Sequence, residues 1–327
     1  MREDAFYQPR GSARDATFSL RVVASKWRAL CLILAIAIFG WGQTLGFAPV
    51  TDLLSKVVIV LLVLIACAKR GGAVTWLTLF FGVLLFVEVR SVVHLLGVPP
   101  HTGDLQELER TLFFGTLPSQ FLQETFFNPR NIGPLDCFAT LVDWSYFLVP
   151  YVVVFRAWLD QPYTVHRLVH PLVLTFLASV VIYGVLPATP PWLASAELGA
   201  PQIYRVMHLV GAALDASIYA RVYQSIGDPN PTAALPSVHF AITFVLFLYT
   251  MGKPKIWTVI AGAYAAVMLI SLVYLGEHYV TDTILGATVA TAVWYGYQRI
   301  AHWRVVARLI EADRIPEESP ARTARAT

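Results

Sequence analysis

Leu235-Pro-Ser-Val-His-Phe-Ala-Ile-Thr-Phe-Val-Leu-Phe-Leu-Tyr-Thr-Met251 decides the class of fold. From Val238 onward it carries no Asp, Glu, Lys or Arg, and its Phe, Leu, Ile and Val run on without the alternation of a half-buried strand. Its length approaches the roughly 20 residues a helix needs to cross an apolar layer about 30 Å thick. Working outward, seven more runs have the same character: Trp27–Phe47, Leu53–Ala68, Val74–Leu96, Asp136–Trp158, Leu168–Leu186, Ile256–Leu275 and Val280–Ala301. With 57% hydrophobic and only 14% charged residues, the chain lies outside the range of soluble globular domains. The expectation is an all-α integral membrane protein, a bundle of about eight transmembrane helices with a core of six.

Charge placement sets the topology, since Lys and Arg gather on the cytoplasmic side of a membrane. Arg2, Arg10, Arg14, Arg21, Lys26 and Arg28 fill the leader; Lys69 and Arg70, Arg156 and Arg167, and Lys253 and Lys255 mark alternate links; Arg299, Arg304, Arg308 and Arg314 follow the last run. The other links are short, neutral or acidic, as in Asp104–Glu124. Both termini are therefore expected in the cytoplasm and the acidic links outside, in the periplasm if the membrane is a bacterial plasma membrane. The net charge of +3 is scattered among span ends and excludes a nucleic-acid surface. Cys31, Cys67 and Cys137 have no metal-ligand spacing and read as packing residues.

The division expected is a basic leader (1–26), two accessory spans (27–72), a core (73–302) and a cytoplasmic tail (303–327), disordered from about Glu311 with Pro316 and Pro320. Two outer links are long enough to hold interfacial helices, near 117–127 and 202–224. In the second, Ile203, Met207, Val210, Leu214 and Ile218 recur at helical spacing, which suits a rim or lid along the outer surface.

Chemistry concentrates in two outer span ends: Asn230-Pro-Thr-Ala-Ala-Leu-Pro-Ser-Val-His239 and Tyr274-Leu-Gly-Glu-His-Tyr-Val-Thr-Asp282. The topology brings both to one face. His278 and Asp282, four apart at a helix start, share one helical face, so the carboxylate can hold one imidazole nitrogen and leave the other as nucleophile. His239 is placed to protonate a departing alkoxide. An ordinary interfacial histidine is the bland alternative for each, yet ionisable groups in spans are costly and three converge here.

Pro236-Ser-Val-His239, followed by His278 and Asp282 before Gly286, resembles the second and third signature motifs of the type 2 phosphatidic acid phosphatase superfamily. The resemblance implies that His278 is the nucleophile, Asp282 its orienting carboxylate and His239 the acid for the leaving group. Two features depart from the family pattern. Leu186-Pro-Ala-Thr-Pro-Pro-Trp192 stands where a Lys and an Arg are usual, and Ser271-Leu272 where an Arg follows the serine. A Pro-Pro-Trp first motif, with 39 positions between His239 and His278, is similar to the inositol phosphorylceramide synthase branch. That likeness implies transfer of a phospho-headgroup, such as phosphoinositol, from a membrane phospholipid to a lipid alcohol. A lipid or polyprenyl phosphate phosphatase is the near alternative. A transporter or channel is the distant one, disfavoured by the absence of inverted repeats.

Phosphoryl transfer still needs positive charge at the phosphate. Arg90 and His94, one turn apart, are the first candidates; the alternative for Arg90 is pairing with Glu88 or snorkelling to the interface. Arg205 and Arg221 are further candidates for binding phosphate or headgroups. Ser237, Thr189 and Trp192 are expected near the substrate, although a proline stop and an interfacial tryptophan account for the last two as well. The amides of Val238 or His239, at a helix start, can also meet a phosphate oxygen. No metal or other cofactor is expected, and the partners foreseen are donor and acceptor lipids.

Overall fold

The structure, a computed structural model, describes residues 26–39, 53–68, 71–214 and 230–313. Every regular element among them is a helix. In order these are α1 (26–39), α2 (Leu53–Cys67), α3 (Ala73–Val92, prolonged by a 3-10 turn Val93–Leu96), α4 (Gly103–Leu112), α5 (Pro118–Phe126) and α6 (Pro134–Ser145). There follow α7 (Val149–Asp160), α8 (His166–Val185), α9 (Pro191–Leu198), α10 (206–214), α11 (Val238–Thr250), α12 (Lys255–Tyr274) and α13 (Val280–Asp313).

Three of these are long and apolar enough to cross a membrane: α3 with its 3-10 extension, α8 and α12. The pair α6 and α7 makes a fourth candidate but is bent by 48°, and α2 and α11 are apolar but shorter. The run expected as one span from Asp136 to Trp158 is thus two helices. The break has a local cause. Tyr146, Phe147 and Leu148 each donate a backbone bond three residues back, to Asp143, Trp144 and Ser145, and Pro150, in the first turn of α7, has no N–H to carry an α-helical ladder through. At the other end of the chain, α13 runs to Asp313 rather than stopping near Ala301, because no helix breaker intervenes before Pro316. The tail expected to be disordered lies mostly outside the described residues, as do 40–47 of the first expected span.

Helix α8 is the most enclosed span, with 61% of its apolar window buried against 22% for α3 and 28% for α12. It packs on α3, α11 and α13. Trp76, Leu79, Phe80 and Val83 of α3 and Leu168, Leu172 and Phe176 of α8 belong to one buried cluster. Outward, Leu85, Val181, Ile260 and Ile270 are exposed, which is what a lipid-facing surface requires. Between apolar helices in lipid, close van der Waals contact rather than release of water holds the interface.

Non-spanning helices gather over the end of the bundle where α12 stops and α11 and α13 begin. The expected interfacial segment at 117–127 is α5, and α4 adds a second amphipathic helix before it. Gln123 of α5, 4% exposed, ties three segments: its Nε2 donates to the carbonyls of Tyr204 (2.9 Å) and Tyr274 (2.8 Å), and its Oε1 accepts from Tyr204 N (2.8 Å). In the segment expected at 202–224, α10 packs inward: Met207 and Val210 are buried in a cluster with Ala139, Tyr274 and Leu275, while Leu214 is exposed. Asp215, Ile218 and Arg221 lie outside the described residues. Main-chain bridges join His101 to Ala188 and Ala188 to Ala233, linking three connections side by side.

Candidate active site

The site is built from the first turns of α11 and α13. Ser237 is the N-cap of α11; its hydroxyl, fully buried, accepts from Phe240 N (3.3 Å), and this sets His239 in the first turn. The sequence placed Ser237 toward substrate, whereas the structure uses its hydroxyl as a cap. At α13, Asp282 is the third helical residue, and its Oδ2 reaches back to accept Tyr279 N (2.9 Å), half of a capping box. The same Oδ2 lies 3.3 Å from Nδ1 of His278. Asp282 is wholly buried and His278 is 5% exposed, so the carboxylate fixes the imidazole and leaves Nε2 as its free nitrogen.

Two close approaches hold these turns together. Ser237 N donates to the carbonyl of Asp282 (3.0 Å), and a Cβ on Gly286 would stand only 2.6 Å from the carbonyl of Ser237. Only a glycine lets α11 and α13 meet so closely. The result is a separation of 5.7 Å between the His239 and His278 ring centroids. On the far side, Gly276 takes φ +75°, a turn that L side chains disfavour, with Tyr204 O at 2.7 Å from where a Cβ would lie. Its carbonyl accepts Trp192 N (3.2 Å).

Several residues the sequence reading did not single out complete the surroundings. Asp143 of α6, 3% exposed, places Oδ1 3.9 Å from His239 Nε2, and that oxygen has no hydrogen-bond partner among the described residues. Tyr146, one turn later, packs on the His239 ring at 4.3 Å. Glu277, next to His278 in the chain, takes a two-pronged ion pair from Arg205, Nε to Oε1 at 2.7 Å and Nη2 to Oε2 at 3.2 Å. Glu109 of α4 caps the start of α13 from another helix, accepting Val280 N (2.8 Å) and Thr281 N (3.2 Å). Burial pushes the Glu109 carboxyl above the usual carboxylate range, with these amide bonds opposing the shift. Asp143 was detectable as a lone carboxylate inside an apolar run; Glu109 gave no comparable signal.

The expected phosphate binders fare unequally. Arg90, half-buried, has no carboxylate partner among the described residues, so the alternative pairing with Glu88 is not found. Its charge acts on His239, Tyr146 and Tyr183, and its carbonyl accepts from Asn230 Nδ2 (3.1 Å), which ties the end of α3 to the loop before α11. His94 is exposed on the 3-10 turn. Arg205 is brought to the site, but Glu277 occupies one edge of its guanidinium while Trp192 lies beneath it at 4.7 Å. Thr189 Oγ1 and Trp192 Nε1 are buried without hydrogen-bond partners among the described residues. No group of three or more His, Cys, Asp or Glu side chains suited to a metal ion occurs among those residues.

A family model described as the PAP2 superfamily matches residues 103–296, the stretch that holds all of these site residues except Arg90 and His94. The chain belongs to that superfamily, whose members are typically phosphatases, and membership points to phosphatase or phosphotransferase chemistry on lipid-like substrates. Its apolar helices fit an integral membrane protein. Neither a curated protein nor a solved structure matches the chain.

Proposed function

We propose that the protein is a lipid phosphotransferase that passes a phospho-headgroup, phosphoinositol being the leading choice, from a membrane phospholipid to a lipid alcohol. The observation that carries this reading is the meeting of His278, held by Asp282, with His239 at the starts of two packed helices. His278 Nε2 attacks phosphorus, the bond from phosphorus to the lipid oxygen breaks, and His239 gives that oxygen its proton. The acceptor hydroxyl then attacks the phosphohistidine, its proton passes to His239, and the nitrogen–phosphorus bond breaks.

Charge favours a diester over a monoester. A phosphomonoester brings up to two negative charges, and a diester one. Around His239 and His278, Arg205 is neutralised by Glu277, which leaves Arg90 and the helix-start amides to meet the substrate. Thr189 and Trp192, whose Oγ1 and Nε1 are buried without hydrogen-bond partners among the described residues, are the side chains left to meet the headgroup. A phosphatase, with water in place of the acceptor, remains the second reading because it uses the same histidine pair. We place the site on the non-cytoplasmic face of an eight-span bundle with both termini in the cytoplasm, in keeping with the alternation of Lys and Arg along the chain.

The test is mass spectrometry of the products formed by purified enzyme from phosphatidylinositol, phosphatidic acid and a polyprenyl phosphate, each with and without ceramide or diacylglycerol. A new phospho-headgroup lipid that forms only with acceptor present is the expected result. Free phosphate released without acceptor moves the assignment to phosphatase, and normal turnover by His278→Ala removes the mechanism.

A further inference from the structure

The two histidines are alike in a respect the motifs do not mention, since each lies within 4 Å of a buried carboxylate. For His278 that group is Asp282, four residues away on the same helix. For His239 it is Asp143, which comes from α6, nearly a hundred positions earlier. Asp143 is 3% exposed and one of its oxygens has no hydrogen-bond partner among the described residues. A carboxylate so placed costs several kcal/mol unless something compensates it, and no cap, backbone bond or arginine contact at hydrogen-bonding distance does so among the described residues. What faces it is the edge of the His239 ring, whose side chain is 30% exposed and is flanked by Tyr146 at 4.3 Å and Phe147 at 6.4 Å.

From this juxtaposition we propose that Asp143 is the positioning residue of the acid–base histidine, so that the site contains two His–carboxylate pairs, one for the nucleophile and one for the proton donor. The inference rests on the function proposed above. A general acid must enter the reaction protonated, and an imidazolium between aromatic rings, with His278, Arg90 and Arg205 acting on it as well, needs a partner for its proton at its edge. The Asp143 carboxyl, whose unpartnered Oδ1 faces Nε2 of the ring, is the group placed to share that proton. The bend between α6 and α7 gives it its place: Asp143 and Tyr146 lie three apart at the point where the helix breaks, one at the edge of the imidazole and the other on its face. At 3.9 Å the two groups are one short movement from a hydrogen bond, and catalytic hydrogen bonds that are long in the free enzyme tighten when substrate is bound. With one ring nitrogen turned to Asp143, the other carries the proton that is given to the leaving oxygen in the first step and recovered from the acceptor in the second.

The leaving group provides a test that a merely structural role would not satisfy. Wild type, Asp143→Asn and Asp143→Glu are compared on the phospholipid turned over above and on a 4-nitrophenyl diester of the same headgroup, whose anion departs without a proton. Asp143→Asn should slow the lipid ester by about 10²-fold, within the range of general acid catalysis, and the nitrophenyl ester by less than about threefold. Asp143→Glu should recover part of the loss. In a His239→Ala background Asp143→Asn should add no further loss on the lipid ester. Should Asp143→Asn fail to melt like wild type, Asp143→Glu is judged by the same ratio of the two esters. Equal loss on both esters in a folded variant, or no loss on the lipid ester, overturns the inference and leaves the proposed function standing. A wild-type enzyme that turns over neither ester removes both.

Discussion

Gly286→Ala is the sharpest probe of how the histidines are held. The added Cβ would lie 2.6 Å from the carbonyl of Ser237 and 3.4 Å from Ala241 N, both backbone atoms of α11 that no rotamer change can move aside. Ordinary contact begins near 3.4 Å, so α11 and α13 must part by about 0.8 Å at this level. That movement stretches the Ser237 N to Asp282 O bond, 3.0 Å in the native protein, and carries His239 away from His278. Overpacking of this kind costs about 1–3 kcal/mol in stability, which a bundle tolerates. A displacement near 1 Å at reacting groups costs on the order of 10²-fold in rate. The expectation is therefore a folded enzyme with turnover down about 10²-fold, measured by product mass spectrometry in detergent alongside a thermal melt. Gly296→Ala on the same helix is the control: no heavy atom comes within 4 Å of its added Cβ, so activity stays at the wild-type level and the helix gains up to about 1 kcal/mol of propensity. Wild-type turnover by Gly286→Ala would falsify the close-approach argument.

Three further outcomes can be checked. Arg205→Lys keeps the charge but loses the planar fork on Glu277 and the stacking on Trp192; turnover is expected to fall about tenfold, and an unchanged rate means that the fork does not order the loop before His278. Glu109 has a raised folded-state pKa, so the native protein keeps its proton to higher pH than the unfolded chain. The stability associated with this group is full below the ordinary carboxylate range and is lost as pH rises through the raised value. The melting temperature of wild type relative to Glu109→Gln should accordingly fall across that window, and a flat difference refutes the assignment. Gln123→Leu removes three hydrogen bonds at once and is expected to cost about 2–4 kcal/mol by leaving buried backbone groups unpaired; a melt within a degree of wild type refutes that.

Legibility in the sequence followed the range of the interaction. The apolar runs that became α3, α8 and α12 were plain because hydropathy is a property of the segment itself. His278 and Asp282 were readable because four residues on a helix is local geometry, and His239 joined them through topology alone. The bend after Ser145 was signalled by Pro150, yet the apolar character continues across it, so composition concealed the break. Asp143, Glu109 and Gln123 act on groups 81 to 172 positions away; Asp143 was marked out by the apolar run around it, but nothing adjacent to Glu109 or Gln123 in the chain distinguishes them from any other polar residue near a membrane surface. Arg205 was singled out, but its partner Glu277 was not, since neighbours in sequence on the two sides of a tight turn give no hint of which cation they meet.

The bridges from His101 to Ala188 and from Ala188 to Ala233 are made by main chain alone, and this bears on how the protein can evolve. A join that uses only amides and carbonyls asks little of side-chain chemistry at its own positions beyond small size at Ala188, which is wholly enclosed, and at Ala233. Substitutions at most neighbouring positions can then be accepted without loosening the join itself. A scaffold joined through its main chain is thus separately mutable from the side chains around it.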